Sequence, residues 1–356
     1  MTDVTLPEVV VTAPRPLPVP PIPPNIIPAQ PNSVPQTGQP LWIRRWKLSV
    51  GNVSGAQAID LSQFSFEFEV SMQQNQTPWK GRVKVWNPPP TLAGQIGKEY
   101  TNISLDAGYM QPSQQYDNVI QAQLTYWRWG RQNATDTFLE LFIAMYDTAF
   151  TAAVVNTWVP AGATKDTTLD AVLAALAPYG VTKGQITQLS QDKAPRGRAL
   201  VGMVRDIMRD FARTENAKWF IDKDGKLHLL SQDEALALGN TKVPLLSART
   251  GLVDVPTQVL GSGIEIHSLL NPALRPGMQV QVDAASINQL QTTDNSPFLK
   301  TSMTAQDPIT AKINQSGLYI IGQIKHFGQN RGNPWYSHMV TSVFGNQAPS
   351  IPLSAT

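Results

Sequence analysis

Between Phe64 and Val70 the chain reads Phe-Ser-Phe-Glu-Phe-Glu-Val, and this alternation constrains the fold more than any other feature of the sequence. Successive side chains of a strand point to opposite faces, so Phe64, Phe66, Phe68 and Val70 share one face while Glu67 and Glu69 take the other. The segment is a strand with one covered and one wet face, and a sheet with a core must exist to cover it. Segments of the same texture, rich in aromatic and β-branched residues, recur at Trp42–Val50, Lys80–Trp86, Tyr100–Gly108, Val119–Trp129 and Thr137–Met145. That density of short strands within residues 41–150 predicts a β-sandwich or barrel.

The texture changes twice more. In residues 151–244 helices are expected. Thr167-Thr-Leu-Asp170 has the form of a capping box, and Leu169, Val172, Leu173 and Leu176 follow at helical spacing until Pro178 and Gly180 stop the run. A second helix is predicted from Gly197 to Arg213, with Val201, Val204, Ile207, Met208 and Phe211 as its apolar stripe. Lys218 to Leu230 reads as a hairpin in which Gly225 supplies positive φ. After Lys242 the strand texture returns at Gly263–His267, Gln279–Asp283, Gly317–His326 and Trp335–Phe344, and residues 347–356 read as a C-terminal tail. The expected fold class is mainly β with an α+β insert. A first β domain (41–150) and a second (245–346) flank a small α/β domain (151–244).

Residues 1–40 stand apart, since twelve of the 29 prolines fall there, seven of them between Pro14 and Pro24. Proline fixes φ and removes the amide donor, so this stretch forms neither helix nor central strand. As an extended polyproline arm, Pro14 to Pro35 reaches about 70 Å at about 3.1 Å per residue. Ordering it costs less entropy than ordering an ordinary chain, which makes it suited to lying on another subunit through Leu17, Val19, Ile22, Ile26 and Ile27.

Composition excludes several kinds of chemistry. There is no cysteine, hence no disulfide, thiolate zinc site, iron–sulfur cluster or cysteine nucleophile. A net charge of +2 with 15% charged residues lacks the footprint of phosphate-dominated nucleic-acid binding. Neither a basic, apolar leader nor an uncharged run long enough to span a bilayer is visible, so a soluble chain without membrane anchor or export signal is expected.

Candidate catalytic and metal constellations are weak. Glu67 and Glu69 lie about 6.5–7 Å apart on one strand face, within the range of paired glycosidase carboxylates, but nothing in the sequence supplies the apolar pocket that would raise one pKa. Asp222-Lys-Asp224-Gly225 begins like a calcium loop and then places Lys226, Leu227 and Asp233 where that motif needs other residues. His228, His267, His326 and His338 are scattered without the i, i+4 spacing of a zinc helix, and His267 and His326 read as ordinary strand residues. Trp127-Arg-Trp129-Gly-Arg131 interleaves aromatics with cations, a pattern shared by single-strand nucleic-acid platforms and by packed or interface tryptophans, the second being the stronger reading. No phosphate-binding glycine loop or nucleophile elbow is present. A non-catalytic chain without cofactor is expected.

Several segments resemble one family. Gly251-Leu-Val-Asp-Val-Pro256, Gly263 to Pro272, Arg275-Pro-Gly-Met-Gln-Val-Gln-Val-Asp283, and Gly317 to Gly328 followed by Arg331-Gly-Asn-Pro-Trp-Tyr336 are similar, in order and spacing, to the tail hub proteins of contractile-tailed bacteriophages. Gln76 to Asn87, Tyr100 to Tyr109 and Trp219 to Leu230 extend the resemblance upstream. Where the family commonly has Gly-Asp before its Arg-Gly, this chain has Gly328-Gln-Asn-Arg331. The resemblance implies two tail-tube-like β domains per chain and a homotrimer with six such units. Its partners would be a tail spike protein, the tail tube protein and other baseplate components, in a virion tail assembled in the host cytoplasm. The alternative that the same resemblance fits is the base of a type VI secretion or tailocin spike. Nine tryptophans and the paired glutamates leave a carbohydrate-binding or glycoside-cleaving β protein as the alternative of another class.

Overall fold

The computed structural model describes residues 42–52, 58–111, 116–231, 234–237, 243–258, 263–283, 291–292 and 317–343. The proline-rich arm, with Leu17, Val19, Ile22, Ile26 and Ile27, and the C-terminal tail lie outside the described residues.

The first β region contains β1 (Trp42–Gly51), β2 (Ala58–Asp60), β3 (Phe66–Gln73), β4 (Lys80–Trp86), a short helix α1 (Pro90–Gln95), β5 (Asn102–Gln111), β6 (Tyr116–Arg131) and β7 (Thr137–Ala144). Its strands are hydrogen-bonded in the order β2-β1-β5-β6-β7-β4-β3, all antiparallel. The alternation in β3 is realised: Phe66, Phe68, Val70 and Met72 are buried, and the residues between them half-buried. Phe64 falls just before the strand, in a turn where its N–H donates to the Leu61 carbonyl at 3.1 Å.

The second β region comprises β13 (Leu245–Leu246), β14 (Thr257–Gln258), β15 (Ile264–Leu269), β16 (Gln279–Val282), β17 (Gln291–Thr292), β18 (Leu318–Gln329) and β19 (Trp335–Val343). Its sheet runs on from the first without a break, because β18 pairs with β3 from Gln323↔Gln73 to Gln329↔Glu67. The other half of the same edge of β18 pairs with β16, from Leu318↔Gln281 to Ile320↔Gln279. The changeover falls at an irregularity between Ile321 and Gln323, where Gly322 is the extra residue against β19. Around it the Gly277 N–H donates to the Ile321 carbonyl (2.7 Å) and the Gln74 N–H to the Gly322 carbonyl (2.9 Å). One bulged strand thus closes the ladder of one region and opens that of the other.

A single apolar core serves both β regions. At their junction Trp335 is fully buried, edge-on to Phe68 (centroids 5.4 Å) and to Trp46 (6.1 Å), so rings from β19, β3 and β1 meet. Gly328 lies against this cluster, and a Cβ there would stand 2.6 Å from Trp335 and 2.9 Å from Phe68. The tip of the β18–β19 hairpin clamps the other side. Asn330 donates from its N–H to the Phe66 carbonyl (3.1 Å) and from Nδ2 to the Phe64 carbonyl (2.7 Å), and its Oδ1 accepts the Phe66 N–H (2.9 Å). Arg44 reaches back to the carbonyls of Gly332 (2.7 Å) and Asn333 (2.8 Å). Asn330 is therefore a fully engaged structural asparagine.

Between the β regions lie α2 (Asp147–Ala152), β8 (Val154–Val159), α3 (Lys165–Leu176), β9 (Thr182–Ile186), β10 (Arg198–Met203), α4 (Val204–Thr214), β11 (Ala217–Ile221) and β12 (Lys226–Ser231), built around a second core. Two expectations are corrected here. Helix α3 begins at Lys165 after Thr164, which puts Thr167 and Asp170 inside the helix; the ion pair of Lys165 with Glu215 (2.6 Å) fixes the first turn instead of a capping box. The stretch predicted as a helix from Gly197 is a strand up to Met203 and a helix only from Val204. Gly202 sits at φ 148°, outside the helical region, and Val201 faces outward, 65% exposed. The rest of the predicted stripe holds, with Val204, Met208 and Phe211 buried. The β11–β12 hairpin forms as expected, Gly225 at φ 74°.

Candidate assembly surface

Because β3 to β7 and β15 to β19 form one sheet, the residues that alternate with the core positions share one outer face. Across it runs a ladder of paired charges. Lys325 on β18 pairs with Glu69 on β3 (2.8 Å), Glu67 lies 3.8 Å from Arg82 on β4, and Arg82 reaches Glu140 on β7 (3.0 Å), which Arg128 on β6 also contacts. Burial of Glu140 opposes ionisation, but hydrogen bonds from Arg128 and Arg82 outweigh it and hold its carboxyl below the usual range. Aromatic rings lie among these charges: Lys84 Nζ stands 4.0 Å from the ring centre of Trp86 and 4.8 Å from that of Phe138, and Tyr126 packs on Phe142 at 5.7 Å. Arginine and aromatic side chains recur on this face, and both types are enriched in protein–protein contacts.

The two glutamates singled out in the sequence are thus both members of this ladder, each facing a cation, with Gln329 Nε2 also donating to Glu67 (3.1 Å). Trp127 packs half-buried on the core while Trp129, beyond it on the same strand, is 40% exposed. Further exposed apolar residues sit on the two-stranded β8–β10 ribbon: Val154, Trp158 and Val201 line its outer face, and the Trp158 ring lies over Gly197.

The turn of the β11–β12 hairpin ties the three parts of the chain together. Asp222 is buried; its Oδ1 accepts the N–H groups of Asp224 (3.0 Å) and Lys226 (2.8 Å), and its Oδ2 meets His228 Nε2 at 3.0 Å. Desolvation pushes its pKa up, yet the contacts with His228 and Lys226 prevail and lower it. The next residue, Lys223, donates to Asp117 (2.9 Å) and the Asn118 carbonyl (3.2 Å) of β6, and Arg275 arrives from the second β region. The residues that began like a calcium loop act as a structural junction, their carboxylates taken up by protein donors.

Of the histidines, His326 is fully buried with Nδ1 against Ser337 Oγ (2.8 Å), as expected of a strand residue, and burial lowers its pKa to about 4. His267 and His338, 71 residues apart in sequence, are direct cross-strand partners on the outer face, with Glu265 beside them. Sequence spacing could not reveal this, because the register of β15 on β19 brings them together. A cleft of 610 Å³ opens in the middle region between α3, α4 and the 192–198 segment, with Leu200, Ile207 and Phe211 among its walls and Lys193, Arg196 and Arg198 also lining it. Among the described residues, no helix is long and apolar enough to cross a membrane.

No family model and no curated protein sequence matches the chain. Solved structures do. The 43 kDa tail protein of prophage MuSo2 from Shewanella oneidensis superposes with a TM-score of 0.52 at 6% identity, over 83% of this chain and 96% of that one. The fold is that of a phage tail protein. A tail protein from Neisseria meningitidis MC58 agrees, with a TM-score of 0.51 at 9% identity over 84% of this chain and 97% of its own. The mainly β architecture expected from the sequence, with its small α/β insert, is therefore one already seen in phage tails.

Proposed function

We propose that this chain is a non-enzymatic structural subunit of a phage tail baseplate: a tail hub that forms a homotrimer and adapts the sixfold tail tube to a threefold spike. The observation that carries this reading is the pairing of β3 with β18, which joins two β regions edge to edge in one continuous sheet. A chain that offers two β units side by side can meet a sixfold partner with three copies, while the trimer as a whole keeps threefold symmetry for the other partner. The fold shared with two tail proteins, one of them from a prophage, supports the tail assignment. The outer face of paired charges and aromatics supports an assembly role, since its glutamates are engaged by cations and do not confront an apolar pocket. In this reading the partners are the tube, the spike and other baseplate proteins, and the site of action is the virion tail. Native mass spectrometry of the chain co-produced with its spike tests the proposal. A complex of three hub subunits per spike trimer is expected, and a monomer or dimer alone in the presence of the spike would refute it.

A further inference from the structure

We propose that Glu265, His267 and His338 form a binding site for a divalent transition-metal ion of the zinc class, independent of the assembly reading. The register of the second β region creates it. His267 on β15 and His338 on β19 are direct antiparallel partners, and Glu265, two residues before His267, shares the same face of the sheet. One ligand atom from each of the three side chains lies within 4.8 Å of the other two. Ligands held 2.0–2.1 Å from a tetrahedral ion stand about 3.3 Å from one another, so side-chain rotations of modest size complete the geometry.

The local arrangement lets the three groups close around an ion. The two imidazoles are 4.4 Å apart and inclined at 68°, edge to face, so their nitrogens can converge on a point beside the sheet. His338 Nε2 is buried and meets the Glu265 carboxylate directly, so two of the three ligand atoms already stand together. Asp254 Oδ2, 3.5 Å from His267 Nδ1, adds a second carboxylate at the edge of the cluster, where such groups orient a ligating imidazole. The nearest cation on the neighbouring strand, Lys325, is opposite His338 in register but its ammonium is drawn away to Glu69 at 2.8 Å. The set of two imidazoles and one carboxylate suits zinc and its neighbours in the first transition series and is poor for calcium or magnesium, which prefer oxygen throughout. Three protein ligands leave a further position for water, and His267, 44% exposed, leaves a path for entry.

The test uses the full-length chain without an affinity tag, stripped with a chelator and titrated with Zn²⁺ by calorimetry. Binding of one equivalent is expected, with a thermal unfolding midpoint that rises with Zn²⁺ concentration. Loss of an outer partner alone typically weakens metal binding about 10- to 100-fold, so His338→Gln and Glu265→Gln are expected to weaken it at least that much, and Asp254→Asn by less. Glu99→Gln, exposed and away from the cluster and its neighbours, is expected to bind as the parent does. Unfolding in chelator establishes that each variant is folded. Absence of a one-equivalent transition, or unchanged Zn²⁺ affinity in folded His338→Gln, would overturn the proposal.

Discussion

Arg275 Nη1 reaches the carboxylate of Asp224 at 2.7 Å and that of Asp222 at 3.4 Å, so that one guanidinium from the second β region grips both acids of the β11–β12 turn. Lys223, between those acids, grips the first β region through Asp117. The middle region is held to the sheet by charges that alternate along three consecutive residues of one turn.

The weight of this junction rests on Asp222, which is 2% exposed and accepts hydrogen bonds from two backbone amides besides its contacts with His228 and Arg275. Asp222→Ala leaves those donors without an acceptor. A loss of about 3 kcal/mol is expected, since a buried charged group whose partners are removed costs about 1.5–3 kcal/mol or more. Chemical denaturation of the two proteins at neutral pH measures it. A change below the error of extrapolation would show that the turn keeps its shape without the carboxylate.

A second prediction concerns pH. His326 is held neutral by burial, its pKa lowered from 6.5 to about 4. Between those values the unfolded chain binds the proton and the folded chain does not, so stability falls as pH drops from about 6.5 to about 4, by on the order of 3 kcal/mol in all. Asp106, whose pKa burial raises, acts in the opposite direction over part of that window, so the difference from His326→Leu isolates the histidine. The lowered carboxylates of Asp222 and Glu140 contribute stability that is lost only at lower pH, below their ordinary range. The expected result is a flatter stability profile between pH 6.5 and 4 in the variant, and parallel profiles would contradict the assignment.

The join between the two β regions gives a third. Truncating Trp335, fully buried among Phe68 and Trp46, is expected to cost about 3–5 kcal/mol, as for other large core aromatics. Asn330→Ala removes the two side-chain hydrogen bonds at the hairpin tip and leaves the Phe66 amide and Phe64 carbonyl unpaired, for about 1–3 kcal/mol. Gly328→Ala is expected to destabilise as well, since the new methyl meets the faces of two rings packed on each other. Unfolding midpoints in urea for the three variants check the order, with Trp335→Ala the most affected.

How much of this was legible beforehand depended on whether the information was local. Period-two burial in β3 and the exact span of β4 could be read from adjacent residues, because alternation is a property of one strand. The Gly225 turn was equally local. The split of residues 198–214 into strand and helix was not, since Val201 and Val204 fit a helical stripe until pairing with β8 takes up the first half. Likewise, neither the β3–β18 pairing nor the meeting of His267 with His338 leaves any trace in spacing, because each is fixed by register between segments far apart in the chain. The resemblance of whole segments to tail hub proteins reached the fold where the periodicity of single elements reached only its parts.

The final prediction concerns residues 2–38, which precede every described strand, the first of which begins at Trp42. A stretch so rich in proline supplies neither helix nor central strand, so its deletion is expected to leave the stability of the isolated chain unchanged within about 0.5 kcal/mol, the range of changes remote from a core. Their eleven prolines have already lost φ freedom, so an interaction with a neighbouring subunit needs little ordering energy and can rest on a few apolar side chains such as Leu17, Val19 and Ile22. Assembly is therefore expected to suffer where stability does not. The deletion, co-produced with spike and tube, is expected to yield fewer complete particles by electron microscopy than the full-length chain, and particles formed in equal number would reduce the arm to a passive linker.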